Sequence, residues 1–517
     1  MKKSILMNAV SLSKEISKLH SNAPLIVWKH FEKFCEIPRP SKGEARIREY
    51  VIEQAKKNHC SFFEDKIGNI LVRVPASKGL EDKTIVLIQN HLDMVNDARP
   101  GIVKDYHKDS VIPFVDGEWV RAEDTTLGSD NGIGACLAIS LMDHQAEFQH
   151  PELELLFTID EETGLTGALQ IDVQKLGVKA KIMLNIDTEE WGSLYIGCAG
   201  GKETRLRGNY KSEVALENII QIKVGGLVGG HSGVDIHRQR GNAHLLMLDL
   251  LKKLESQQEF RIISWEGGKA HNIIPREAQC VISVSEKNYE KWESVTKEWR
   301  EDFLKILPLE DQKHFFCSLE VVDKNTVSEE QKKSSLSFNE WKDRLSPLLT
   351  LFPHGVLKQV LKANKDQTES EPQALVRLSN NLAKLTLKNG NLEILSSLRF
   401  MQMEEGAVYS KLFSQLSQIF HLEIVEKVGY PSWAPDFSSP LLKEVSQIYN
   451  ALYGAEPDHK AIHAGLECGI IAAKIPGLRA ISFGPTIVDA HSPDERVNIK
   501  TVEYSWEFLK KILSSLK

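Results

Sequence analysis

Five residues scattered along the chain, His91, Asp130, Glu162, Asp187 and His491, are of the types that hold a pair of divalent cations. Hydrolytic sites with two metal ions need a few imidazole nitrogens, more carboxylate oxygens and a bridging group that keeps the ions about 3.5–4 Å apart. Two histidines and three acids meet that requirement. A single polar residue at a strand end is more often a cap or a turn former. Five of them, at the ends of separate expected elements and inside glycine-bearing loops, are harder to explain that way.

Glu161 and Glu162 are adjacent, and successive side chains leaving a strand diverge, so the two cannot easily bind one ion in the same manner. One can ligate while its neighbour stays free. A free carboxylate beside an activated water is the geometry a general base requires. Asp93 follows His91 by two positions, so in extended chain both side chains point the same way. It is placed to accept the far ring N–H of His91 and hold the tautomer. The plainer readings are a solvated acidic turn over 160–162 and a surface aspartate at 93.

The elements that must carry these residues are legible as apolar runs. Segments 84–90, 153–159 and 181–186 have strand composition and stop at His91-Leu92-Asp93, Asp160-Glu161-Glu162 and Asp187. Asp130-Asn131-Gly132-Ile133-Gly134 opens an apolar helix over 135–142. Polar groups thus sit at the carboxyl ends of successive strands, where open α/β sheets build their ligand sites. From about 204 to 430 the pattern changes to strands at 219–224, 279–284 and 392–400, long helices and a charged stretch over 327–343 that the sequence does not place. A strand over 479–483 and an amphipathic helix over 502–516 return to the first pattern. The expected division is 1–203 as the first part of one domain, 204–430 as an inserted α+β domain, and 431–517 as the remainder of the first.

Composition narrows the classes. The 517 residues are 42% hydrophobic and 26% charged, a globular balance in a chain too long for one core. The net charge of −7 removes the electrostatic case for nucleic acid or an anionic membrane as partner. No apolar stretch of about 20 residues could span a bilayer, and Met1-Lys2-Lys3-Ser4-Ile5-Leu6 does not develop into a signal peptide. Cys35, Cys60, Cys136, Cys198, Cys280, Cys317 and Cys468 are scattered and odd in number, which fits a reduced, cytoplasmic setting.

The motifs in order are His91-Leu92-Asp93-Met94-Val95, Thr126 through Gly134, Asp160-Glu161-Glu162-Thr163-Gly164, Asn185-Ile186-Asp187-Thr188-Glu189, Gly229-Gly230-His231-Ser232-Gly233, and Ser482-Phe483-Gly484-Pro485-Thr486 running to Ala490-His491-Ser492-Pro493-Asp494-Glu495. Ile37-Pro38-Arg39-Pro40-Ser41-Lys42, Ile273-Ile274-Pro275-Arg276-Glu277 and His463-Ala464-Gly465-Leu466-Glu467-Cys468-Gly469 add to them. Together they resemble the M20 metallopeptidases, and within them the aminoacyl-histidine dipeptidase group, over nearly the whole chain.

The resemblance implies an α/β catalytic domain, a mixed sheet flanked by helices and carrying two Zn2+, with an inserted α+β lid. It makes Asp130 the bridging carboxylate and assigns His91, Glu162, Asp187 and His491 to one or other metal shell. Asp93 would orient His91, and Glu161 would be the base. In the lid it implies His231 as the oxyanion donor, Arg399 as the grip on the substrate's terminal carboxylate, Asn272 near the substrate backbone and Gly465 as a backbone contact. Ser129 departs from the pattern, which has alanine there. The implied activity is hydrolysis of short peptides, Xaa-His dipeptides in particular.

The alternatives are a tripeptide aminopeptidase or an N-acyl amino acid deacylase on the same scaffold, or a non-catalytic homologue. Nitrogen and oxygen ligands suit Mn2+ and Co2+ as well as Zn2+. The oligomeric state stays open between a chain whose insert holds two similar halves, so that His231 acts in its own chain, and a homodimer in which a partner subunit delivers it.

Overall fold

The computed structural model describes residues 11–143, 147–285, 289–361 and 374–516. The amino-terminal stretch read above for a signal peptide lies outside them. The chain forms two compact units, Met1–Cys198 with Trp433–Ala461 and Leu466–Lys517, and Ala199–Ser432 with Ile462–Gly465. Residues 462–465 therefore join the second unit, against their expected grouping with 431–517. The reason is local: the Ala199 N–H donates to the carbonyls of Ile462 and Ala464, and the His463 ring meets Ser379.

The first unit is built on an eight-stranded sheet in the order Ser61–Glu64, Ile70–Val74, Leu153–Thr158, Val86–His91, Ile182–Asn185, Arg479–Ser482, Ser193–Cys198, Asp458–Ile462. Four neighbouring strands at its centre, Leu153–Thr158 through Arg479–Ser482, are parallel. Every residue of Val86–His91, Leu153–Thr158 and Ile182–Asn185 is buried. That is the signature of strands covered on both faces, and it explains why they read as unbroken apolar runs. Helices Leu25–Glu36, Ser129–Asp143, Pro440–Tyr453 and Ile499–Ser515 bring Phe31, Leu137, Val445 and Phe508 into a common core with the strands.

The second unit holds an eleven-stranded sheet whose main path contains two similar halves. One half runs Asn218–Gly225, Arg261–Gly267, Ala278–Val284, Phe316–Val322 along the chain; the other runs Gly200–Asn209, Ala374–Lys388, Asn391–Phe400, Glu423–Glu426. In each, the spatial order is fourth, first, third, second. The two second strands pair antiparallel from Ser264↔Lys388 to Gly267↔Leu385, joining the halves edge to edge. Helix Tyr289–Ile306 links third to fourth strand in one half, as Met403–Ile419 does in the other. The stretch 327–343 contains short helical turns and the strand Ser335–Leu336, and it delivers Trp341, fully buried, to the core of this unit. Among the described residues no helix is long and apolar enough to cross a membrane.

Candidate metal centre

The parallel strands end at one edge of the sheet, and that edge collects the acids and imidazoles. His91 is the last residue of its strand; Asp160 to Glu162 follow the strand ending at Thr158, and Asp187 follows the one ending at Asn185. Asp130 lies at the kinked start of helix Ser129–Asp143, where it and Asn131 have non-helical torsions and the peptide between them is cis. His491 sits in the turn after the strand pair at Ile487–Val488, with a left-handed φ of 63°.

Asp130 stands between two groups of donors. Its Oδ1 is 3.1 Å from His91 Nε2, which is also 3.4 Å from Asp187 Oδ1. Its Oδ2 is 3.0 Å from His491 Nε2, which is also 3.1 Å from Glu162 Oε2. His91, Asp130 and Asp187 form one set of ligand atoms within 4.8 Å of one another, and Asp130, Glu162 and His491 form another. Asp187 thus lies beside His91 and Glu162 beside His491, while Glu162 also falls in a third such set with His91 and Glu161. Glu162 Oε1 is buried with no hydrogen-bond partner. A buried carboxylate oxygen left without a partner among the described residues is costly unless a cation meets it, so the residues fit a divalent ion pair.

The surroundings keep the cluster in register. His91 Nδ1 is hydrogen-bonded to the Asp93 main-chain carbonyl (3.2 Å), with Asp93 Oδ1 at 3.4 Å, and that carboxylate accepts the backbone N–H of Glu161 (3.0 Å), the N–H of Glu162 (3.2 Å) and the Ser41 hydroxyl (2.7 Å). Asp93 therefore holds the imidazole through its main-chain carbonyl, where the sequence had suggested its carboxylate, and uses the carboxylate to pin the turn that carries both glutamates. Despite its burial, these partners bring the Asp93 carboxyl down to about 2. Asn131 Nδ2 donates to Asp187 Oδ1 and to the Ile186 carbonyl, aiming that ligand.

Burial pushes the Glu161 carboxyl well above the ordinary range; His91 opposes the shift, and the nearby Glu162, Asp187 and Glu467 carboxylates add to it. Among the described residues its carboxylate accepts no hydrogen bond, unlike that of Glu162. For His491, burial works against the charged ring, but Asp130 and Glu162 outweigh it and raise the pKa to about 11.

Two buried residues here escaped the sequence reading. Arg39 donates to the carbonyls of Leu92, Asp93 and Gly128, tying the His91 segment to the Asp130 loop. Glu467 accepts from Gln89 Nε2 (2.5 Å) and Thr158 Oγ1 (2.6 Å) beneath the strand ends, and burial raises its carboxyl to about 7. Both lie in motifs noted above, yet neither type nor spacing says which main-chain carbonyls or side chains a buried arginine or glutamate will meet.

The second unit has a separate cluster. His231 Nδ1 accepts the N–H groups of Gly233 (3.3 Å) and Val234 (3.1 Å), which leaves the proton of the neutral ring on Nε2. That nitrogen is 3.4 Å from Arg399 Nη2, so the ring and the guanidinium face one another. Arg399 is buried, donates from Nη1 to the Tyr430 hydroxyl (3.2 Å), and has no carboxylate partner among the described residues. Its Nε is buried without an acceptor. A Cβ on Gly233 would lie 2.4 Å from the His463 carbonyl and 3.1 Å from Arg399 Cζ, so only glycine allows this approach. The Asn272 carbonyl accepts the Ser232 N–H (2.7 Å), which places Asn272 beside the His231 loop. His463 Nε2 lies 2.7 Å from Ser379 Oγ. Gly465 closes the 462–465 segment that belongs to this unit.

Comparison with known proteins bears on what these clusters do. The profile of peptidase family M20/M25/M40 matches residues 126–515. The chain is 34% identical to the cytosol non-specific dipeptidase of Escherichia coli over 504 residues, 97% of this chain and 99% of that one. Among solved structures it is similar to an aminoacylhistidine dipeptidase from Vibrio alginolyticus, with a TM-score of 0.81 and 31% identity over 97% of this chain and 98% of the other. An aminopeptidase PepT from Bacillus cereus, at a TM-score of 0.53 and 14% identity over 95% and 98%, shares the fold.

Proposed function

Because the chain belongs to peptidase family M20/M25/M40, and so is a peptide-bond hydrolase, we propose that it is a metal-dependent dipeptidase whose substrates include Xaa-His dipeptides. The observation that carries the metal dependence is the double approach to Asp130, with one histidine and one further acid at each of its oxygens. In this reading His91 and Asp187 would hold one ion and His491 and Glu162 the other, with Asp130 available to both. Zn2+ suits these donors, as do Mn2+ and Co2+. When bound, such ions polarise a carbonyl and acidify a water.

The protein's own residues do the rest. Glu161 takes a proton from the attacking water and delivers it to the leaving amine, so the proton lost by the nucleophile ends on the product amino group. The Asp93 carboxylate keeps Glu161 in place through its N–H, and the Asp93 carbonyl fixes the His91 tautomer. In this reading His231 would donate to the oxyanion, and Arg399 would pair with the terminal carboxylate of a dipeptide. Asn272 and Gly465 contribute polar contacts to the substrate backbone. A buried guanidinium without a counter-ion among the described residues favours a substrate that brings its own charge, and thereby a short peptide with a free carboxyl end.

The test is a substrate panel on the purified chain with metal analysis alongside. Dipeptides, Xaa-His among them, should be cleaved in preference to tripeptides and N-acetylated amino acids. Preferential cleavage of either of those other classes, or a chain that binds no divalent metal, overturns the reading. The resemblance to the cytosol non-specific dipeptidase supports the cytoplasm as its place of action.

A further inference from the structure

Glu495 follows His491 by four positions and is only 2% exposed. Its Oε2 accepts the N–H groups of Leu127 (2.8 Å) and Gly128 (3.0 Å), and its Oε1 accepts the N–H of Ser129 (2.7 Å), the N–H of Asp130 (3.4 Å) and the Ser129 hydroxyl (2.6 Å). One carboxylate thus takes four successive main-chain donors at the amino end of helix Ser129–Asp143. Both oxygens are needed to satisfy them, and the charge sits where a helix terminus favours an anion.

The turn that carries Glu495 is itself braced. The Ser492 hydroxyl donates to the Asp489 carbonyl (2.7 Å), the Glu495 N–H to the Ser492 carbonyl (3.0 Å), and the strand Arg496–Asn498 that follows pairs with Trp119–Ala122. His491 and Glu495 therefore leave one short turn and reach the same loop. The imidazole meets the Asp130 carboxylate, and the glutamate meets the backbone that presents it. The Ser129 hydroxyl adds a side-chain donor to this clamp.

We infer that Glu495 is a positioning residue that locks the His491 turn to the Asp130 loop and so sets the affinity for the one ion those two residues share. The inference rests on the metal-dependent reading above. A clamp on backbone donors acts on the relative placement of two ligands, and groups that hold ligands in place are worth about 10- to 100-fold in metal affinity. The ion at His91 and Asp187 has other supports, Asp93 and Asn131, and should feel the change far less.

The test is Co2+ titration of the full chain against a chelator, followed by absorption, for the unaltered protein, Glu495→Gln, Ser129→Ala and Glu154→Gln. Glutamine keeps the size but offers one acceptor oxygen where the loop needs two. Glu154→Gln is the structural control: Glu154 is also fully buried, and it accepts the N–H groups of Lys179 (3.0 Å) and Ala180 (3.1 Å) at the other end of the strand Leu153–Thr158. Glu495→Gln should weaken one of two Co2+ affinities about 10- to 100-fold. Ser129→Ala should weaken the same one by about 2- to 5-fold, and Glu154→Gln neither. Unchanged affinities in Glu495→Gln, or an equal loss in Glu154→Gln, overturn the inference and leave the dipeptidase reading intact. If Glu495→Gln does not fold, an unchanged affinity in Ser129→Ala overturns it. Failure of the unaltered chain to bind Co2+ overturns both.

Discussion

Asp130 and His491 stand 361 positions apart in the chain and 3.0 Å apart in space, with the imidazole Nε2 on the carboxylate oxygen that His91 leaves free. The amino-terminal and carboxyl-terminal parts of the first unit therefore meet at a single side chain. A centre of this kind exists only when the whole unit is folded, and its chemistry can be dissected one residue at a time.

Replacing Glu161 by glutamine should separate binding from catalysis. The carboxylate is not among the ligands assigned to either ion, so metal content should persist while kcat falls about 10²- to 10⁴-fold, the range for losing a general base. Elemental analysis and initial rates on one preparation check this. Near-normal turnover would remove Glu161 from the mechanism.

His491→Ala should cost metal itself. Bound metal should drop from about two ions per chain to about one, since the His91–Asp187 side keeps its ligands. His91→Ala should do the reverse, and it should also free the Asp93 carboxylate that the ring now faces at 3.4 Å. Loss of no ion in either variant would contradict the ligand assignment.

Arg399→Ala should raise KM for a dipeptide roughly 10- to 100-fold, the value of hydrogen bonds to a charged group, with a smaller change in kcat. A dipeptide amide, which lacks the terminal carboxylate, should be cleaved equally poorly by both proteins. If the amide and the free dipeptide respond alike to the substitution, Arg399 does not read the carboxylate.

Gly134 tests packing at the site. Glycine to alanine in a helix normally stabilises by about 0.5–1 kcal/mol. Here an added Cβ would lie 2.1 Å from the Ile186 carbonyl, 2.1 Å from Asn131 Oδ1 and 2.4 Å from Asn90 Oδ1. Gly134→Ala should instead destabilise by about 1–3 kcal/mol, the usual cost of overpacking. Urea denaturation gives the sign directly, and a stabilised variant would show that the helix moves aside.

Acid should loosen the second unit. Burial lowers His244 and His354 to about 4, below the ordinary histidine value near 6.5. Neutral rings are therefore favoured by the fold, and their contribution is complete above about pH 6.5 and shrinks as pH falls towards 4. For His244 alone the loss between pH 7 and 5 is on the order of 2 kcal/mol. His244→Phe should flatten the decline of the denaturation midpoint over that interval. An unchanged slope would mean that the ring titrates normally.

Much of this arrangement was legible in one dimension. Buried parallel strands leave unbroken apolar runs, and 84–90, 153–159 and 181–186 match Val86–His91, Leu153–Thr158 and Ile182–Asn185 to within two residues at each end. Because α/β sheets place functional groups at the carboxyl ends of such strands, the residues after them could be named as candidates. Stretch 327–343 resisted the same treatment, since its one large core contribution, Trp341, sits among charged neighbours with no period to betray it.

Residue types and order along the chain determined the family, the sheet class and the list of possible ligands, because those follow from local hydrophobic pattern and from chemistry that each side chain carries alone. Which acid joins which histidine, what Arg39 and Glu495 hold, and how the halves of the second sheet meet were decided only in three dimensions. Such pairings depend on distances between segments hundreds of residues apart, set by strand order and by buried polar groups seeking partners, and neither leaves a trace in sequence spacing.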